Sequence, residues 1–278
     1  MKVEKPINEL LEFSIINVDK PAGITSFVCA DRVRKILDCK KAGHTGTLDP
    51  MVTGVLPVLL NRATRLSNYF MKKDKEYIGK MLLHSDITEE ELKRFMDEFV
   101  GKIMQKPPVK SRVKRVLRER IVNKFRIIKK VGRVVEFISD VQAGTYIRKL
   151  ISDLGEKIEG AHMTQLRRTR AGIFFEKDSF KLEEIQEAFK LWKEKNDESK
   201  LRKILIPAEI IQRVITRVDV KDESLKGLLN GKPLMKEDIY KGVPNSELFS
   251  AFNREKFVGI YKKVDEGDIV ARAEFVMN

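Results

Sequence analysis

Between Gly101 and Arg133 the chain carries thirteen basic residues and one acid, Glu119. The run begins at Lys102 and passes through Lys106, Lys110, Arg112, Lys114, Arg115, Arg118 and Arg120 before ending at Arg133. Thirteen minus one is +12, out of a net +14 for the whole sequence, so the rest is close to neutral. A fold must present such a stretch to solvent or to a partner. A merely solvated surface mixes both signs of charge. A dense block of one sign favours a polyanion, and nucleic acid is the commonest. The competing reading is a basic disordered arm; the valines and isoleucines that recur through the block argue for ordered structure.

The 278 residues suffice for one sizeable core and lie near the length at which chains divide into two domains. At 42% hydrophobic residues, a folded globular protein is expected. No apolar stretch reaches the roughly 20 residues that cross a bilayer. "MKVEKPINELLEF" lacks a signal-peptide apolar region, so the expectation is a soluble, cytoplasmic protein without a membrane partner. The two cysteines, Cys29 and Cys39, fit no metal spacing and are expected reduced and buried. His44, His84 and His162 pair with no cysteine or histidine at ligand spacing, which predicts no metal.

Periodicity gives the elements. "FSIINV" predicts a strand over Phe13–Val18, and a helix follows from Ser26 to Leu37, capped by Thr25 or Ser26. "VLPVLL" and "EYIGKMLLH" read as strands. In "TEEELKRFMDEFVG", Thr88 and Glu91 form a capping-box pair. Leu92, Phe95, Met96, Phe99 and Val100 make the apolar stripe there, and Gly101 closes the helix. A hairpin is predicted around Val131 and Gly132, with helices over Tyr146–Ile158 and Leu182–Lys195. Strands and helices interleave without a strict βαβ rhythm, so the fold class is α+β, a mixed α/β sheet. The polar stretch Lys193–Lys203 is the candidate linker. Beyond Ile204, short strands, a short helix and a hairpin centred on Gly267 suggest a small β-rich second domain.

Asp49 stands out in "KAGHTGTLDP". Gly43 and Gly46 let a ligand approach the backbone, and Pro50 holds Asp49 out of helical geometry. From spacing alone Asp49 is a nucleophile, a base or an Asx-turn former.

The surrounding motifs decide among these. "VDKPAGITS", "HTGTLDPMVTGVLPV", "KEY", "GTYIRKLISDLG" and "AHMTQLRRTRAG" occur in that order between Val18 and Gly172. Together they resemble the TruB family of pseudouridine synthases. "DPMVTGVLPV", "LHSDITEEEL" and "QKPPVKSRVKRVLRER" are similar to its dyskerin branch, in the archaeal form, the catalytic subunit of box H/ACA guide-RNA particles. The resemblance is strong from Phe13 to Phe175 and weaker beyond Ile204. It implies a pseudouridine synthase catalytic domain over residues 1–203, with residues 1–12 packing on the second domain. Residues 204–278 would form a PUA domain, a small RNA-binding β-barrel.

The same resemblance implies the chemistry. Uridine in ribosomal RNA, or the T-loop uridine of transfer RNA, is isomerised to pseudouridine without a cofactor. Asp49 is the implied nucleophile, attacking either the sugar C1′ or the base C6. Arg148 is implied as the guanidinium that keeps the carboxylate charged beneath an everted base, since desolvation favours a neutral acid. Tyr77 is implied to stack on the target base and help move a proton. Tyr146 would line the pocket, His44 would hold the flipped nucleotide, and Lys20 with Pro21 would shape the pocket floor. An everted base loses a few kcal/mol of stacking. Phosphate contacts can help recover this without reading sequence, and the expected contacts are Arg112, Lys114, Arg115 and Arg118, with Arg167, Arg168 and Arg170 as a second basic cluster. The implied partners are guide and substrate RNA, a small zinc-ribbon-like protein, a small β-barrel protein and a kink-turn-binding protein. A guide-independent transfer RNA synthase and a non-catalytic RNA-binding scaffold are the alternatives.

The sequence departs from the family pattern in three places. Ser85 replaces a glycine, Ile173 stands where proline is usual, and Lys241–Glu255 lacks the usual start of the PUA strand.

Overall fold

The computed structural model describes residues 5–107, 114–242 and 245–278. The chain divides into two compact units, one ending at Leu205 and the other beginning at Ile206. In chain order the first holds α1 (Ile7–Glu12), β1 (Ser14–Lys20), α2 (Ser26–Ile36), β2 (Ala42–His44), β3 (Thr53–Leu60), α3 (Ser67–Met71), β4 (Lys75–Leu83) and α4 (Glu89–Asp97). It continues with β5 (Gly101–Gln105), β6 (Arg118–Val131), β7 (Val134–Val141), α5 (Ile147–Lys157), β8 (Ala161–Ala171), β9 (Phe174–Phe175), α6 (Leu182–Lys195) and α7 (Ser199–Ile204).

Local chemistry explains where these elements begin. The Thr25 side chain accepts a hydrogen bond from Val28 N and starts α2, satisfying one of the orphan donors of a helix N-terminus. The Thr88–Glu91 capping box starts α4, with both reciprocal bonds present. Gly101, at φ +100°, opens β5 instead of closing α4, which ends at Asp97. Val100 therefore leaves the apolar stripe and is exposed, while Leu92, Met96 and Phe99 are buried. Gly132, at φ +54°, turns the hairpin between β6 and β7, where an L side chain would be strained.

The strands of this unit form one mixed sheet in the order β1-β3-β8-β4-β7-β6-β5, with β2 added on β3 and β9 on β8. β3 and β8 run parallel; β8 returns late in the chain to fill the centre between β3 and β4. Burial along β4 alternates strictly, so Tyr77, Met81 and Leu83 share one inner face. Burying each of these apolar side chains contributes about 1.5–3 kcal/mol. β3 is buried along its length after Thr53, as expected of a strand covered on both faces. Gly54 on β3, Arg168 on β8 and Tyr77 on β4 form one row across the sheet. That row underlies the candidate site.

Two segments take places that composition did not announce. α1 contributes Ile7, Leu10 and Leu11 to the core of the first unit, and Asn61 Nδ2 donates to Leu11 O at 3.1 Å. The N-terminal helix thus packs in the core of the first unit. The polar stretch Lys193–Lys203 is not an open linker. It holds the end of α6 and most of α7, and Leu201 and Ile204 are buried in the same core. Polar composition hid two apolar anchors three residues apart.

The second unit contains β10 (Ile206–Pro207), β11 (Thr216–Asp219), α8 (Leu225–Leu229), β12 (Leu234–Met235), β13 (Leu248–Asn253), β14 (Lys256–Glu266) and β15 (Ile269–Val276). Its sheet runs β11-β13-β14-β15-β12, over a core that includes Val218, Leu228, Phe249 and Tyr261. Gly267, at φ +63°, makes the expected hairpin turn. β13 forms inside the atypical stretch Lys241–Glu255, with Val243 and Pro244 outside the described residues.

Candidate active site

Asp49 lies on the loop between β2 and β3, and Arg148 in the first turn of α5. The Arg148 guanidinium pairs with Asp49 Oδ2, joining positions 99 residues apart. Both side chains are more than half exposed, at 53% for Asp49 and 59% for Arg148. An ion pair this open contributes about 0–1 kcal/mol to stability. Its geometry therefore has to be imposed from beneath.

The underlay is buried and hydrogen-bonded. Ser26 Oγ donates to Leu48 O at 3.1 Å and accepts from Leu48 N at 2.7 Å, fixing the peptide before Asp49. On the other side, Lys20 Nζ donates to Pro50 O at 3.0 Å and to Pro21 O and Ile24 O at 2.8 Å each. Gly23 N also reaches Pro50 O at 3.0 Å. Lys20 is fully buried, and that desolvation pulls its ammonium below the usual lysine range. The Arg168 charge acts in the same direction, while the charges of Cys29 and Asp49 act against it. Lys20 is thus a strut that ties the "KPAGI" turn to the Asp49 loop, and Pro21 O is one of its acceptors.

Arg168 is the largest fully buried side chain. Its Nε donates to Val55 O at 2.7 Å and its Nη2 to Gly46 O at 3.1 Å, clamping the loop before Asp49 to β3. No carboxylate pairs with it among the described residues. Gly46 has φ +137°, and a Cβ there would meet Arg168 Nη1 at 3.5 Å. His44 Nδ1 lies 3.4 Å from Gly46 N, which donates to it, so the ring proton sits on Nε2. Burial lowers the His44 pKa, Arg168 lowers it further, and the imidazole is neutral at pH 7. A Cβ on Gly46 would also meet Lys75 Cε at 3.8 Å; burial and the Arg168 charge bring the Lys75 ammonium down to about 8.

α5 is held at the same point by a residue that spacing did not flag. Gln105, buried at the end of β5, accepts from Tyr146 N at 3.0 Å and donates to Tyr146 O at 3.3 Å. Tyr146 is the N-cap residue of α5, so this two-way clamp aims the turn that carries Arg148. A lone polar residue within a basic strand gives no sequence signal of such a role. Tyr77 is 9% exposed on the inner face of β4, in register with Arg168.

The basic residues divide into two groups. Arg112 lies outside the described residues. Lys114 and Arg115 are exposed, and Arg115 Nε donates to Pro107 O at 3.3 Å. Arg118 is half-buried with an unpartnered Nε. The arginines of the second cluster are engaged within the fold. Arg168 is in the core; Arg167 is bidentate on Asp19, at 2.9 and 3.0 Å, and also pairs with Glu176. Arg170 pairs with Asp140 at 2.6 Å. Acids far away in sequence also reach the first block, where Lys124 meets Glu76 and Arg133 meets Asp86. The linear +12 therefore overstates the free charge. Among the described residues no three His, Cys, Asp or Glu side chains converge on a metal position. No helix among them is long and apolar enough to cross a membrane.

Comparison with known proteins places the chain among RNA pseudouridine synthases. The pattern of the TruB family pseudouridylate synthase N-terminal domain matches residues 34–91. That of the tRNA pseudouridylate synthase B C-terminal domain matches residues 148–212. A probable tRNA pseudouridine synthase B of Korarchaeum cryptofilum is 45% identical over 238 residues, 85% of this chain and 73% of the relative. The protein of that name in Pyrobaculum islandicum is 35% identical over 276 residues, 98% of this chain and 84% of the relative. The chain belongs to the TruB family of pseudouridine synthases. A solved Cbf5–Nop10–Gar1 complex superposes with a TM-score of 0.90 at 37% identity, over 98% of this chain and 87% of that one. An H/ACA particle bound to a substrate RNA containing 2′-deoxyuridine gives 0.89 at 34%, over 99% and 88%. The likeness is thus to the dyskerin branch.

Proposed function

We propose that this chain isomerises uridine in ribosomal RNA, with Asp49 as nucleophile, as the catalytic subunit of an archaeal-type H/ACA particle. The Asp49–Arg148 pair carries the reading. Such an exposed pair adds little stability, yet Ser26, Lys20, Arg168 and Gln105 all fix its two sides. That is the preorganisation a charge-dependent reaction needs. Asp49 adds through an oxygen to C1′ or to C6 of the base. The C1′–N1 bond breaks, a C1′–C5 bond forms, C5 loses its proton and N1 ends protonated. Atoms balance without redox change, and Asp49 leaves unaltered. Tyr77 and Tyr146 flank the base, and His44, as a neutral donor, serves the nucleotide.

The likeness to a Cbf5–Nop10–Gar1 complex supports two small protein partners, expected to be zinc-ribbon-like and β-barrel proteins, and the likeness to an H/ACA particle bound to substrate RNA supports RNA partners; a kink-turn-binding protein on the guide RNA completes the proposed particle. The second unit serves as the PUA RNA-binding domain. The relatives carry the name probable tRNA pseudouridine synthase B, so uridine in transfer RNA is the second substrate to test. The test is mapping of pseudouridine in ribosomal and transfer RNA after incubation with the chain, with and without guide and partners. Guide-dependent conversion that disappears with Asp49→Asn is the expected result. Full turnover by Asp49→Asn would overturn the mechanism.

A further inference from the structure

Two large apolar side chains on the segments joined at the Asp49 loop are exposed. Phe27 is 75% exposed and Met51 73% exposed, while Val28 beside Phe27 is 38% exposed. They belong to different segments, but these segments are pinned together. Ser26 bonds Leu48 in both directions, and Gly23 N bonds Pro50 O. Phe27 is one residue from the first contact, and Met51 is one residue from the second. With about 3.8 Å between consecutive Cα atoms, both sit on the rim of the carboxylate loop. A single exposed apolar residue is ordinary. Two on one rim, held there by buried hydrogen bonds, form a small apolar lip.

We propose that Phe27, backed by Met51, is a stacking platform for the nucleotide next to the target uridine. This rests on the RNA pseudouridine synthase reading of the site. An everted uridine leaves a gap, and the base beside it loses a stacking partner. Any strand delivering a base to Asp49 has to cross this rim. A flat aromatic ring replaces the lost stack without reading sequence, because every base has a π-face. A thioether beside it fills irregular space and contacts aromatic edges. Both segments are hydrogen-bonded to the residues on either side of Asp49, and this favours RNA over a protein as the occupant. Phe27 is then a positioning and context-setting residue, not a participant in bond making.

The experiment uses the full chain, with guide and partners where turnover needs them. The target RNA carries 2-aminopurine beside the target uridine. Wild type is expected to quench the probe on binding. Phe27→Ala is expected to weaken RNA binding and raise KM by about five- to one-hundred-fold, the range set by one base–aromatic stack. It should lose most of the quenching while keeping kcat and Tm, and Phe27→Trp should restore both binding and quenching. Unchanged Kd and quenching in Phe27→Ala, with wild type active, would overturn the platform while leaving the synthase reading intact. Normal RNA binding by Phe27→Ala together with lost binding of a particle protein would overturn it in favour of a protein contact. Absence of any pseudouridine from wild type on every RNA tested would instead overturn the functional reading.

Discussion

Replacing Arg168 with methionine separates two readings of the same arginine. The guanidinium is 1% exposed and donates to Val55 O and Gly46 O, at 2.7 and 3.1 Å. Methionine fills a similar volume and donates nothing, so two buried carbonyls lose their partner. Each hydrogen bond from a charged donor contributes roughly 1.5–3 kcal/mol. Against this, methionine relieves the repulsion of Arg168 with Lys75 and Lys20, both of which it perturbs. A net loss of about 3 kcal/mol follows from these opposing contributions. For a unit of about 200 residues, that lowers Tm by roughly 6–12 °C. Thermal unfolding by circular dichroism measures it. Turnover should fall as well, because Gly46 is the near anchor of the Asp49 loop. RNA affinity measured across a salt series should keep its slope, since no phosphate contact is removed. A phosphate-binding arginine behaves in the opposite way: Tm holds, and the slope of log K against log salt shrinks by about 0.7–0.9. That second outcome would refute the strut assignment.

Gln105→Leu leaves the Tyr146 N–H buried without its acceptor, so a loss of about 1–3 kcal/mol in denaturant unfolding is expected, with a lower kcat as α5 loses its aim. Gly54→Ala puts a Cβ 2.2 Å from Arg168 O at a φ of +98°, so it should fail to accumulate as folded protein in a solubility assay, or unfold far below wild type. Lys75 gives a pH signature. Its folded pKa, about 8, lies below the ordinary 10.5, so between these values the unfolded chain binds more protons and stability rises with pH. The stability of wild type relative to Lys75→Met should therefore climb by roughly 3 kcal/mol from pH 7 to 10.5, and a flat difference would contradict the burial of that ammonium. The thiols of Cys29 and Cys39, pushed up to about 11 by burial, should resist a thiol reagent until the protein unfolds.

What could be read in the sequence was local. Thr88 and Glu91 announce a capping box because both halves lie within one turn, and Gly132 marks a hairpin because only the turn itself demands its φ. Asp49 was visible because its motif is contiguous. The exposure of a cation is not local. Arg167, Arg168 and Arg170 look alike in "LRRTR", yet one is bidentate on Asp19, 148 positions away, one is sealed beneath the Asp49 loop and one meets Asp140. Alternation along β8 assigns faces but cannot say which face the rest of the sheet will cover. Gln105 was silent for the same reason, since its partner lies 41 residues further on. At the end of Lys193–Lys203 the spacing of Leu201 and the following Ile204 held the information, but two apolar residues are too few to establish a period.

The division of labour within the site follows from where low dielectric is found. The Asp49–Arg148 pair stands in water until substrate arrives, and water leaves its attraction weak. The cations beneath it, Lys20, Lys75 and Arg168, are already desolvated and already satisfied by carbonyls. Rigidity therefore resides in the underlay, and charge that can still respond resides at the rim. When a base covers the pair, the same distance acts through a lower dielectric and the attraction strengthens several-fold. An ion pair that contributes little to folding thus becomes a substantial term only in the complex. On the function proposed above, the pair's part is to keep the Asp49 carboxylate ionised once a base has covered it, because desolvation alone would favour the neutral acid.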